Sequence, residues 1–321
     1  MRRQKFHQEQ IELYGDRYIQ YRQQYEAAGK FEYVPDFPLH IVLEQTYRCN
    51  LRCPMCLQAL PEREAYDPGV IEMPWELFEQ IVLEAEKYNC PSISMHGIDE
   101  SLLVKDLPNR ISFAKAHGFM DIIMSTNGML LTQEKLEQLV EAGVTHLLIS
   151  LDAVHRDTYE KVRVGGNYDK ARKAVEIVDR FRRSRQSAIP IFRVSFVQNR
   201  LNQSETQEFV ETFSSLVDYV EVQGFQLYHS EQLIPNGVEK VEDFRCTEPW
   251  RKLLVRANGD VLPCCSFYGY DVTLGNFKNT SLFELFNSPR TSQMRQNFKQ
   301  GAYVDEACRN CSQSFYKPQA S

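Results

Sequence analysis

From Pro38 onward, short apolar runs of strand length alternate with longer stretches whose apolar positions recur at helical spacing. The strand candidates are HIVLEQT (40–46), SISMHG (92–97), DIIMST (121–126), HLLISLD (146–152), IFRVSFVQ (191–198) and DYVEVQGFQ (218–226). Helical patterns fill the intervals at 74–88, 107–118, 132–143, 168–184 and 202–216, and Gly118 and Gly143 stand where helix C-caps belong. Regular β–α alternation implies parallel strands, and six units are too few to close an eight-stranded barrel. The expectation is therefore an α/β fold built on an open, partial (β/α)6 TIM-like barrel over residues 39–235. Residues 1–38 carry Ile11, Tyr14, Tyr18, Ile19, Tyr21 and Tyr25 at spacings that give a helix one aromatic face. They read as an N-terminal helical extension packed on the main body, with a partner-binding helix as the other reading. After about residue 235 the Pro-Asn-Gly breakers end the alternation. A hairpin is expected next, 252–257 and 261–265 around Asn258-Gly259-Asp260, then short helices at 281–287 and 289–299. Residues 236–321 thus form a second, smaller domain.

Composition narrows the function classes. With 43% hydrophobic and 25% charged residues the chain can bury a sizeable core. Its 37 Lys and Arg against 43 Asp and Glu give a formal charge of -6 with no basic stripe, so nucleic acid is not an expected partner. The opening MRRQKFHQEQ lacks the apolar core of a signal peptide or membrane span, and a cytoplasmic protein without a membrane partner is expected. In a reducing compartment the nine cysteines would be thiols, which makes metal ligation their default role. Three cluster at 49–56 and five lie between 246 and 311, while the isolated Cys90 reads as a small core residue.

Cys49, Cys53 and Cys56 follow the first strand directly, in the loop region where barrel active sites assemble. Three thiolates can hold three corners of a cubane cluster and leave one iron open, whereas structural zinc and iron–sulfur sites usually supply four protein ligands. A zinc loop whose fourth ligand lies elsewhere is the alternative. The CxxxCxxC spacing after strand one resembles the radical S-adenosylmethionine (SAM) superfamily. Met55 stands where many members have an aromatic residue. The resemblance implies a SAM-binding [4Fe–4S] cluster, with SAM chelated to the open iron and cleaved reductively to a 5′-deoxyadenosyl radical. It also implies a reducing partner such as flavodoxin or ferredoxin.

Further stretches resemble the same family. Gly97-Ile98-Asp99-Glu100-Ser101 corresponds to its Gly-Gly-Glu-Pro turn, with Asp99 and Ser101 as departures, and Glu100 is implied as a cofactor contact. A helix N-terminal carboxylate is the plainer reading of Glu100. Ser125 and Asn127 at the end of strand three and Ser150 at the end of strand four are implied to line the cofactor pocket, or else to cap their turns. Arg163 resembles the arginine that pairs with the SAM carboxylate, a task suited to a planar bidentate donor.

In the C-terminal region, Cys246, the hairpin-terminal Cys264 and the final Cys308-Arg-Asn-Cys311 resemble the shortened SPASM domain called twitch. That resemblance implies four ligands for one auxiliary [4Fe–4S] cluster, zinc on the same thiols being the alternative. Cys265 is then left over. As a hydrogen donor to a substrate radical it would make the enzyme an epimerase of a sugar-like small molecule or a peptide; as a buried thiol or alternative ligand it would have no such role. A dehydrogenase that oxidises an alcohol through the auxiliary cluster is the second enzyme reading, with Asp152, Asp99, Glu221 or His229 as the candidate base. A non-catalytic iron–sulfur binding or electron-transfer protein is the third reading.

Overall fold

The computed structural model describes residues 2–318. Two helices open the chain, α1 (Arg2–Tyr14) and α2 (Asp16–Gly29), broken at Gly15, whose φ of +56° suits glycine. The barrel follows as β1 (His40–Leu43), α3 (Trp75–Lys87), β2 (Ser92–Ser94), α4 (Leu107–Ala116), β3 (Asp121–Thr126), α5 (Gln133–Ala142) and β4 (His146–Ser150). It continues with α6 (Arg156–Val162), α7 (Tyr168–Ser184), β5 (Ile191–Val197), α8 (Thr206–Phe213) and β6 (Tyr219–Gln223). The six strands pair in parallel in chain order, as an open barrel requires. Local signals set the boundaries: Thr132 caps α5 by accepting from Lys135 N, and Gly143 ends it at φ +123°.

Successive strand residues point to opposite faces, and here the two faces differ in kind. Ile41, Leu43, Ile93, Met95, Ile122, Met124, Leu147, Ile149, Phe192, Val194 and Phe196 join the main core with residues of the surrounding helices. The alternate positions, facing the barrel interior, are largely polar: His40, Ser92, Ser94, His96, Asp121, Ser125, His146, Ser150, Arg193, Ser195 and Glu221. His40 spans two strands there, its ring nitrogens 2.7 and 2.9 Å from Ser92 Oγ and Ser94 Oγ. The lumen is thus built for polar contents, not for the layered aliphatic filling of a closed barrel.

The N-terminal helices cover the strand starts. Phe6 is buried with Ala188 and Ile191, and its ring meets His146 edge-on at 4.7 Å. Gln10 Nε2 donates to Met120 O and Asp121 Oδ1 at 3.3 and 3.2 Å, and Tyr18 and Tyr21 pack on Met120. Their aromatic face therefore packs on the barrel.

Beyond β6 come β7 (Val238–Lys240), α9 (Glu248–Arg251), β8 (Lys252–Val255), β9 (Asp260–Leu262), β10 (Gly275–Asn276), α10 (Leu282–Phe286), α11 (Pro289–Lys299), α12 (Glu306–Ser312) and β11 (Tyr316–Pro318). The hairpin forms where the sequence places it. Gly259 alone takes the positive φ (+95°), while Asn258 orders the turn by accepting from Asp260 N. What the sequence does not reveal is that β8 pairs in parallel with β1, His40 opposite Lys252, so one nine-stranded sheet runs β10-β9-β8-β1-β2-β3-β4-β5-β6. Among the described residues no helix is long and apolar enough to cross a membrane.

Candidate functional site

The loop after β1 carries Cys49, Cys53 and Cys56 and is held by one contact from outside and several within itself. Arg52 N donates to Val164 O at 2.8 Å, Arg52 Nη1 donates to Cys49 O and Leu51 O at 2.7 Å, and Cys56 N donates to Cys53 O at 2.8 Å. Burial pushes the Cys49 thiol up to about 11 and Cys56 up to about 12. Left alone these groups hold their protons; an iron cluster that displaces the protons turns them into ligands.

Two side chains from later strands reach these sulfurs. Asn127, just past β3, directs Nδ2 toward Cys49 Sγ at 3.9 Å and donates to Asn50 Oδ1 at 2.7 Å. Arg163, at the C-terminus of α6, donates from Nη1 to Cys53 Sγ at 3.7 Å, while its Nη2 pairs with Asp152 Oδ2. Donors aimed at sulfur and three thiols on one short loop are what a cubane cluster needs from its surroundings, so the residues fit that group.

Glu100, 1% exposed, has another task in addition. Its carboxylate accepts from Leu102 N at 3.2 Å, Thr126 Oγ1 at 2.7 Å and Asn127 N at 2.7 Å, and Glu100 N donates to Arg48 O at 2.9 Å. It caps the turn at 101–103 and ties the cysteine loop to the end of β3. Ser125 and Ser150 face each other in the lumen, Oγ to Oγ at 3.4 Å. The Asp99 carboxylate accepts from Gly97 N in its own loop at 2.5 Å and from Thr46 N after β1 at 3.3 Å. Gly97 needs its missing side chain, since a Cβ there would lie 3.1 Å from Glu44 Cβ and 3.3 Å from Tyr270 Oη.

In the C-terminal region Cys246, Cys264, Cys308 and Cys311 line one cavity with Pro249, Tyr268, Gly269 and Tyr303. Gln226 Nε2 reaches Cys311 Sγ at 3.2 Å, and Ser266 Oγ lies 3.7 Å from it. Among the described residues no three His, Cys, Asp or Glu are drawn together closely enough to hold a metal ion. Cys265 is absent from the cavity wall and is exposed. Partial desolvation by the surrounding protein raises its thiol and the Lys252 charge acts in the opposite sense; Lys252 Nζ itself is held by Glu248 at 2.7 Å. Cys90 is a core residue at the start of β2.

Several polar groups lay outside the sequence reading. Glu44 and Arg256, at the ends of β1 and β8, approach to 3.3 Å with both side chains buried. Arg193 pairs at 3.2 Å with Glu221, itself a candidate base of the sequence reading, and His96 Nδ1 is buried without a hydrogen-bond partner among the described residues. Their signal in the sequence was the polar residue recurring at every second strand position, as in HIVLE and SISMH.

Comparison with known proteins matches residues 43–211 to the Radical SAM superfamily and residues 246–312 to the SPASM iron-sulfur cluster-binding domain. The chain is 27% identical to the tungsten-containing aldehyde ferredoxin oxidoreductase cofactor-modifying protein of Pyrococcus furiosus, covering 85% of this chain and 87% of the relative. It is 26% identical to the PqqA peptide cyclase of Gluconobacter oxydans, covering 87% and 84%. Among solved structures, Streptococcus suis SuiB bound to S-adenosylmethionine superposes with a TM-score of 0.63 at 16% identity, covering 92% of this chain and 75% of that one.

Proposed function

Because the chain belongs to the radical SAM superfamily, we propose that it abstracts hydrogen from a C–H bond of a hydrophilic small molecule or a peptide and returns hydrogen from Cys265, inverting the carbon centre. It is a radical SAM enzyme with a SAM-binding [4Fe–4S] cluster and auxiliary iron–sulfur ligation, so zinc falls away as the alternative. When bound, SAM on the reduced cluster supplies the 5′-deoxyadenosyl radical that removes the hydrogen atom.

In this reading Cys49, Cys53 and Cys56 hold the first cluster and Cys246, Cys264, Cys308 and Cys311 the second. Glu100, Ser125, Asn127, Ser150 and Arg163 line the cofactor side. The observation that carries the epimerase reading is the placement of Cys265: next to a cavity cysteine in the chain, outside that cavity, and exposed. A hydrogen-atom donor must be a thiol, and partial desolvation by the protein around it raises Cys265 against the pull of Lys252. Donation breaks the S–H bond, forms a C–H bond and leaves a thiyl radical, which one electron from the external reductant and one proton restore.

The dehydrogenase reading draws its support from the base candidates. Asp152 is engaged by Arg163 and Val197 N and Asp99 by Gly97 N and Thr46 N, whereas Glu221 is partly exposed beside Arg193 and His229 is exposed. There the substrate radical would lose a proton to such a base and an electron to the auxiliary cluster, giving a ketone.

Turnover in deuterated water separates the two. Solvent deuterium entering the product carbon in the native enzyme, and not in Cys265→Ala, is the expected result. A carbonyl product formed equally well by Cys265→Ala overturns the epimerase assignment.

A further inference from the structure

The geometry points to Asp152 and Arg163 as a positioning pair that sets the reduction potential of the cluster on Cys49, Cys53 and Cys56. The proposal rests on the placement of that cluster given above and concerns what the protein does to it.

Arg163 is the charged group nearest a ligand sulfur in the hydrogen-bond geometry, with Nη1 3.7 Å from Cys53 Sγ and its side chain only 14% exposed. One guanidinium edge faces the thiol and Nη2 faces Asp152, so the two contacts fix the plane of the fork. Asp152 is itself fully buried and held by backbone on both sides. Its Oδ1 accepts from Val197 N at 2.7 Å, its carbonyl accepts from Asn202 Nδ2 at 2.9 Å, and its own N–H donates to Ser195 O at 3.2 Å. It does this in the left-handed region, φ +62°, where a non-glycine residue persists only when its surroundings hold it. Strain, burial and these three contacts are a large structural outlay for a carboxylate whose remaining oxygen pairs with Arg163.

The consequence for the cluster is electrostatic. Reduction adds one negative charge, and hydrogen bonds and charges near the sulfurs set how favourable that is. An N–H donor and a positive charge at Cys53 stabilise the reduced form and raise the potential. Asp152 opposes this across the same fork, and inside the protein neither charge is fully screened. The native value is the balance of the two, and removing one member unmasks the other.

The test is a redox titration of the holoenzyme followed by EPR, with the SAM-binding cluster identified by its spectral change on adding SAM. Arg163→Gln is expected to lower its midpoint potential and Asp152→Asn to raise it, while Arg163→Lys stays nearer the native value. The auxiliary cluster serves as an internal reference and is expected to hold its potential in all three. Asn suits the left-handed backbone as well as Asp does, so Asp152→Asn is expected to fold and carries the sign test by itself if Arg163→Gln does not assemble. Shifts of the same sign, or no shift in Asp152→Asn at native iron content, overturn the pair. A native protein whose spectrum ignores SAM would refute the cluster placement instead, a distinct outcome.

Discussion

A Cβ built on Gly269 would sit 2.7 Å from Cys264 Sγ and 3.0 Å from Cys264 O, too close for any real contact. The smallest possible side chain therefore pushes one wall of the four-cysteine cavity onto a ligand. Gly269→Ala is expected to lower bound iron from about eight to about four per chain on the assignment of one cubane to each site, with the SAM-responsive EPR signal retained; undiminished iron would show that the wall yields. The cysteine loop was legible in the sequence because its three thiols are close neighbours in the chain. The contacts that tune it were not, because Asn127 stands 78 positions from Cys49 and Arg163 110 positions from Cys53. Glu100 illustrates the limit differently: both the cofactor-side position and the plain capping role were readable, and the structure gives the cap its partners while leaving the cofactor contact as a proposal.

Among the elements, α1 is secured by few but deeply buried side chains. Phe6 is 1% exposed and sits between Ile191 and the His146 ring. Phe6→Ala is expected to cost about 3 kcal/mol, the lower end for truncating a buried aromatic, read as a reduced urea midpoint with unchanged m-value. A loss below about 1 kcal/mol would mean that α1 is an ornament on the barrel. The strands and helices of the barrel were legible because each outward face is a run of Ile, Leu, Val, Met and Phe bounded by turn residues. The polar inner face could have been read from the same alternation. The pairing of β8 with β1 could not, since it joins segments more than 200 residues apart and leaves no periodic trace.

For the molecule as a whole, the polar lumen links stability to pH. Burial first, and then the charge of Lys252 or Arg193, lowers His40 well below its ordinary value, His96 to about 4 and His146 to about 3, while burial raises Asp121 to about 6. The histidines contribute stability that is complete above their unfolded value near 6.5 and is lost as pH falls toward the folded values. Asp121 has the opposite sign, because its folded form takes up a proton first as pH drops below about 6. Each such histidine works against stability as pH falls, and the buried carboxylates raised by desolvation, Asp121 with Asp99, Glu44, Glu100 and Asp152, work the other way. His146→Gln removes one such loss, so its urea midpoint should rise relative to the native chain as pH falls from about 6 to 4.5; a difference that does not change with pH would contradict a buried, neutral imidazole. The β1–β8 ladder carries a consequence of another kind. A chain ending after β6 would keep every βα unit and the contacts of Asn127, Arg163 and Val164 to the cysteine loop, yet β1 would become a bare sheet edge with its backbone amides and carbonyls open to any passing strand. The C-terminal region therefore guards the barrel against self-association, and a fragment ending after β6 would be sticky where the intact chain is not.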